Sequence, residues 1–188
     1  MDSGFSMSIT DCLQKVVKHD AWMIPCKNRT VELREPNVME VLISELPKNS
    51  VILKINRLVM SGLTKGAWNR SCDFMILTHE DGLSRVLFIE LKLTLSDPDN
   101  GLEQLRRSLP TAKYLLSLCS VAFSGIDLRQ VEVRYSLVAT KVSPRLDKQP
   151  VRKSDYTEIR SYKDINVSIH IVPSQIRFNR LWEQNIPY

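Results

Sequence analysis

Residues 72–92, CDFMILTHEDGLSRVLFIELK, constrain this chain more than any other stretch. They read as two strands joined by a tight turn. The first strand, 72–78, is apolar apart from Asp73 at its start. Glu80-Asp81-Gly82 supplies the turn, because Asp-Gly accepts the positive φ that hairpin turns demand. The second strand, 85–93, is almost continuously apolar (Val86, Leu87, Phe88, Ile89, Leu91, Leu93) and suits a central position buried on both faces. Glu90 and Lys92 interrupt it. Side chains alternate along a strand, so these two share one face while Ile89, Leu91 and Leu93 take the other. A carboxylate and an ammonium on a central strand are costly unless they pair or bind something. Asp73, near the end of the adjacent strand, reaches the same place. Two carboxylates and a lysine are therefore expected in one spot.

Two carboxylates a few ångströms apart repel each other. They suit a hard divalent cation such as Mg²⁺, with Mn²⁺ as a substitute, because such an ion takes oxygen ligands and keeps several waters. The carbonyl of Leu91, lying between Glu90 and Lys92, is a candidate further ligand. A metal so held can activate a water and neutralise charge on a phosphodiester. Lys92 would act on that water or on the developing negative charge.

The order of these residues resembles the PD-(D/E)xK nuclease superfamily, whose fold is the restriction-endonuclease-like one. Its signature is an aspartate opening one strand, a hairpin, Glu-x-Lys on the next strand, and then a helix often carrying a glutamine. The matching residues are Asp73, Glu90-Leu91-Lys92 and Gln104 in GLEQLRRS, over residues 72–109, with Glu90 seventeen positions after Asp73. Cys72 stands where the family name has proline. The resemblance implies a metal-dependent nuclease, with Asp73 and Glu90 holding metal, Lys92 catalytic and Gln104 orienting the assembly. It puts DNA ahead of RNA as substrate. A role in defence against foreign DNA follows by analogy only. Some members carry a further glutamate on an early helix; here Glu40 and Glu45 are both candidates. The alternative is a nucleic-acid-binding or scaffolding module of a larger complex, with latent or lost catalysis.

The rest of the chain frames this hairpin. Its 188 residues make most simply one domain, 1–188, with an ordinary globular composition and a net charge of +5 that is compatible with an anionic partner. A short helix is expected over 9–18, a strand over 30–34, and a helix from Pro36 to Leu46 with Val38, Val41, Leu42 and Leu46 facing inward. Further strands are expected over 50–60, 129–140 and 165–172, and a C-terminal helix over 175–183. After Lys92 a helix begins near Gly101, with Leu102, Leu105, Leu109, Ala112, Leu115 and Leu116 as its buried stripe and Pro110 as a kink or break. A helix between the Lys92 strand and the next one implies a crossover and parallel pairing. The fold class is thus α/β, a central mixed sheet flanked by helices.

Residues 141–163 hold seven Lys or Arg against three acids and read as a basic loop. With Lys65, Arg70, Arg106 and Arg107, its Arg152 and Lys153 are the candidate phosphate contacts. His79 and His170 read as exposed strand or turn residues rather than ligands, and Trp68 and Trp182 as packing residues. Four scattered cysteines form no CxxC or Cys/His cluster, which argues against structural zinc. Free thiols and a cytoplasmic location are expected, with no secretory core at the N-terminus and no membrane span. No separate recognition domain is apparent, so specificity would come from loops, a homodimer or a partner protein.

Overall fold

A computed structural model describes residues 9–17, 23–57, 71–80, 83–96, 98–122, 131–141, 156–172 and 174–182. Its centre is a six-stranded mixed sheet in the order β3-β4-β5-β6-β8-β7. These strands are β3 (Val51–Lys54), β4 (Phe74–Glu80), β5 (Leu83–Thr94), β6 (Val131–Lys141), β7 (Tyr156–Tyr162) and β8 (Ile165–Ile171). β4 pairs antiparallel with both β3 and β5, whereas β6 pairs parallel with both β5 and β8. β7 closes the order, antiparallel to β8. The expected crossover is present: α2 (Pro98–Ala122) carries the chain from β5 to parallel β6.

One face of the sheet is covered by α2 and by α1 (Ile9–Val16). Val86 and Phe88 of β5, Met75 and Leu77 of β4, and Leu137 of β6 meet Leu13, Leu102, Leu105 and Leu116 there. The other face is covered mainly by a second sheet, β1-β2-β9, built from β1 (Val31–Glu35), β2 (Met39–Ser44) and β9 (Gln175–Arg177), with the short helix α3 (Phe178–Trp182). Phe74, Ile76, Leu87, Ile89 and Leu91 pack against Leu33, Val41, Ile43 and Leu181. β5 is therefore buried on both sides, as its apolar run requires. The expectation of helices on both faces is corrected: helices cover one side, and a small sheet covers most of the other.

Three local expectations also change. Residues 36–46 form no helix; β1 and β2 make a hairpin in which Glu35 pairs with Met39. Pro36 and Asn37 are its turn. The Val38 N–H donates to the Glu35 carbonyl at 3.1 Å, and Asn37 takes a φ of 63°. Proline at the second position and a positive φ at the third have the pattern of a type II turn. Met39, Val41 and Ile43 then alternate inward with period 2, a pattern that competed with the helical spacing. The expected C-terminal helix is shorter, because residues 175–177 pair with β2 as β9 before α3 begins. Part of the expected basic loop is β7, whose residues face β8 one for one. Residues Lys65, Arg70, Arg152 and Lys153, along with Trp68, lie outside the described residues. α2 runs through Pro110 as one helix, its apolar stripe held on the sheet on both sides of that residue.

The expectation of four free thiols is corrected too. Cys12 of α1 and Cys119 of α2 are buried and joined in a disulfide, 107 positions apart. No spacing motif announces the pair, because two helices lying side by side on the sheet bring it together. Cys26 is free and exposed, and Cys72 is free and buried, as expected of a core residue. Among the described residues no helix is long and apolar enough to cross a membrane.

Closing so long a loop removes conformations from the unfolded chain. Cys12→Ser, or full reduction of the wild type, should lower unfolding stability by about 2–4 kcal/mol. Urea unfolding with and without reductant measures this, and Cys12→Ser should be indifferent to the reductant.

Candidate functional site

The β4–β5 ladder ends at the Phe74–Ile89 pair, and the charged trio stands just beyond it. There side chains take over from backbone. The Asp73 N–H donates to Glu90 Oε2 at 3.1 Å. The Leu91 N–H donates to Asp73 Oδ2 at 2.9 Å. Each carboxylate thus bonds the other strand's main chain and ties the two strands where their ladder stops. Leu91 enters the site through this N–H. Asp73 Oδ1 accepts from Asn56 Nδ2 at 3.1 Å, and the Asp73 carbonyl accepts from the Ile55 N–H at 3.0 Å. β3 and its trailing 3₁₀ turn (Ile55–Arg57) thereby hold Asp73 from the side opposite β5.

Lys92 and Glu90 share the face covered by α2. Lys92 Nζ lies 2.6 Å from Glu90 Oε1 and donates to Gln104 Oε1 at 3.0 Å. Gln104 is thus brought to the trio, as the sequence reading expected. Gly101 makes this approach close. A Cβ on it would stand 2.9 Å from Leu137 Cδ1, 3.1 Å from Lys92 Cε and 3.5 Å from Glu90 Cγ. The first turn of α2 therefore lies directly on the stems of the charged residues. Ser108 locks the helix about two turns after Gly101: its hydroxyl donates to the Gln104 carbonyl and accepts from the Cys72 N–H, both at 2.8 Å. That second bond fixes the backbone immediately before Asp73.

The electrostatics are those of two buried acids with one base. Glu90 is 1% exposed and Asp73 6%. Burial pushes the Glu90 carboxyl up to about 8, and the neighbouring Asp73 charge adds to the rise against the opposing pull of Lys92. Asp73 is raised as well, chiefly by burial. Glu35, at the end of β1, contributes to that rise through its charge, and it pairs with Lys54 at 2.9 Å. Each of the four oxygens of Asp73 and Glu90 has one partner in these contacts. A carboxylate oxygen has two lone pairs, so each retains a further acceptor direction.

The other candidates fall elsewhere. Glu40 lies exposed on β2 beside Arg34, and Glu45 pairs with Arg177. The further acid whose charge acts on Asp73 is instead Glu35. Arg106 and Arg107 both bind Glu103 of their own helix, and Arg106 also lies 3.8 Å from Asp164. Lys163 and the Tyr162 hydroxyl converge on the same Glu103, which their charges and hydrogen bonds, Arg106 foremost, hold well below the usual carboxylate range. This cluster fastens α2 to the β7–β8 turn. His170 is not exposed; it is buried at 1%, its Nδ1 lies 3.1 Å from Thr157 Oγ1, and burial lowers it to about 4. His79 bonds Ser84 across the β4–β5 hairpin. Trp182 packs on Phe178, as expected.

Sequence reasoning missed Asn56, Gly101, Ser108 and Glu35. Gly101 carried a signal, since glycine inside a helix is unfavourable unless something approaches closely. Ser108 sits one turn after Gln104, on the same helix face. Asn56 and Glu35 become neighbours of Asp73 only through the tertiary fold. Among the described residues no group of three or more His, Cys, Asp or Glu side chains is arranged to hold a metal ion. No family model, curated protein or solved structure matches the chain.

Two outcomes follow from this geometry. The folded value of Glu90 lies above its ordinary value of 4.5, so the folded state holds the proton more tightly than the unfolded one. Without divalent cation, the contribution of Glu90 to stability should be full below pH 4.5 and be lost as pH rises toward about 8, against the opposite trend of His170 below its ordinary 6.5. Glu90→Gln should flatten that loss, as thermal melts across this range would measure. Gly101→Val should crowd Leu137 and Lys92 and lower stability by about 2 kcal/mol in urea unfolding.

Proposed function

We propose that this protein is a metal-dependent nuclease that hydrolyses phosphodiester bonds of nucleic acid, DNA ahead of RNA, on a restriction-endonuclease-like core. The observation that carries the reading is the convergence of Asp73, Glu90, Lys92 and Gln104 at the end of the β4–β5 ladder. The donor set fits a hard cation: two carboxylates keep acceptor directions, and Mg²⁺ retains waters in its remaining positions. Asp73 and Glu90 would hold the ion, with the Leu91 carbonyl as a further candidate ligand. When bound, the ion supplies charge neutralisation at the phosphate and lowers the pKa of a water.

The remaining work falls to the chain. The Leu91 N–H and Asn56 fix the Asp73 carboxylate in one orientation. Gln104 holds the Lys92 ammonium beside Glu90. From there Lys92 supplies positive charge toward the developing charge on the phosphate and orients the attacking water. The net positive charge of the chain adds an attraction to the nucleic-acid backbone that does not depend on sequence. Defence against foreign DNA is the proposed setting.

One observation favours a second reading, in which Glu90 and Lys92 are a structural ion pair. Lys92 is already engaged by both Glu90 and Gln104, which is also how a structural ion pair looks. Plasmid DNA, single-stranded DNA and RNA should be offered with Mg²⁺, Mn²⁺ or EDTA. Metal-dependent cleavage is expected, lost by at least about 100-fold in Asp73→Asn and Lys92→Ala. Tight binding without cleavage in any metal would support a binding or scaffolding module. Neither binding nor cleavage, with a large stability loss in Lys92→Ala, would leave a structural ion pair.

A further inference from the structure

The six-stranded sheet has two edges. β3 is one, and it is partly covered: Met23 bridges Leu53, and the Ile24 N–H donates to the Ile52 carbonyl at 2.9 Å. β7 is the other, and among the described residues it pairs with β8 alone. An open edge invites another strand, and proteins usually blunt it with charged side chains, proline or a bulge. β7 has no proline, its register with β8 is unbroken from Tyr156 to Tyr162, and its two charges, Glu158 and Arg160, are of opposite sign.

The sequence of β7 is YTEIRSY. Read about Ile159, it is complementary to its own reverse. In an antiparallel pairing of two copies centred there, Ile159 stands opposite Ile159 and Glu158 opposite Arg160. Thr157 meets Ser161, and tyrosine positions 156 and 162 oppose each other. Directly opposed residues of antiparallel strands point to the same face. The two Glu–Arg pairs therefore fall on the face that carries α2, and Thr, Ile and Ser fall on the other. Opposite charges and Thr–Ser pairs in these positions stabilise an antiparallel pairing.

In the single chain Glu158 and Arg160 already lie on one face, with Arg160 Nη2 at 3.2 Å from Glu158 Oε1. Across a two-fold axis each of these groups would also face the opposite charge of the other copy. Thr157 and Ser161 are exposed, and Glu158, Ile159 and Arg160 are half-buried, so the strip is part covered and part open. We propose that β7 is a homodimerisation edge, which joins two copies by two-fold antiparallel pairing centred on Ile159. The result is one continuous sheet with both α2 helices on the same side. A two-fold interface of this kind uses one patch twice.

Sedimentation velocity of the full chain over a range of concentrations tests this. The wild type should dimerise. Glu158→Arg and Arg160→Glu should each weaken the dimer roughly tenfold or more, because each sets like charges across both pairs. An equimolar mixture of the two variants should recover a mixed dimer, and the double variant Glu158→Arg/Arg160→Glu should recover a homodimer. A wild type that stays monomeric overturns the proposal. So does a dimer that ignores the single swaps, or a pair of monomeric variants that fail to associate when mixed. Circular dichroism of the variants confirms that the fold is intact in each case. These outcomes do not depend on whether the protein cleaves nucleic acid.

Discussion

Everything at the centre of this molecule depends on how two buried carboxylates are satisfied. Asp73 and Glu90 sit where an antiparallel ladder stops, and each accepts a hydrogen bond from the other strand's backbone. That exchange replaces the next rung with side chains. It holds β4 and β5 together and keeps both acids in one place. An apolar pair of residues could not do this, because the donors are main-chain N–H groups that need acceptors in a dry site. The cost is electrostatic. Two acids share one lysine, and burial weights the balance toward keeping a proton. A site in that condition gains from any positive charge that reaches it, which is the physical basis of the nuclease reading.

The supports around the trio come from two other elements. Asn56 follows β3, and Gln104, Gly101 and Ser108 belong to α2, while the charge of Glu35 at the end of β1 acts against Asp73. α2 reaches the site because its first turn has no side chain at Gly101. It stays there because its apolar stripe is buried against β5 and β6 and because Cys119 binds it to α1. The helix positions Lys92 through Gln104 and, through Ser108, the backbone before Asp73. One helix therefore sets both ends of the charged cluster.

The hairpin and its trio were legible because the departures from a pure apolar strand were few and sharp. The parallel crossover followed from a helix lying between two strands. The β1–β2 hairpin was not legible in the same way. Val38, Val41, Leu42 and Leu46 fit a helix, and Met39, Val41 and Ile43 fit a strand; the Pro36-Asn37 turn decides, and it was read as a helix start. Glu35 was passed over for Glu40 and Glu45 because its closeness to Asp73 is created only when β1 folds over the sheet. His170 looked exposed on an alternating strand, but both faces of that strand are covered. Arg106 and Arg107 look available for phosphate from their place on the helix, but Glu103 one turn before them engages both.

The disulfide has a consequence of another kind. Cys12 and Cys119 enclose Asp73, Glu90, Lys92 and Gln104 within one covalent ring. A protease that cuts the backbone anywhere inside that ring opens it without releasing a fragment. The two pieces stay joined through sulfur and part only on reduction. Nicked protein would thus migrate as an intact chain on a non-reducing gel and as fragments on a reducing one, and the charged cluster could outlast a break in the polypeptide that carries it.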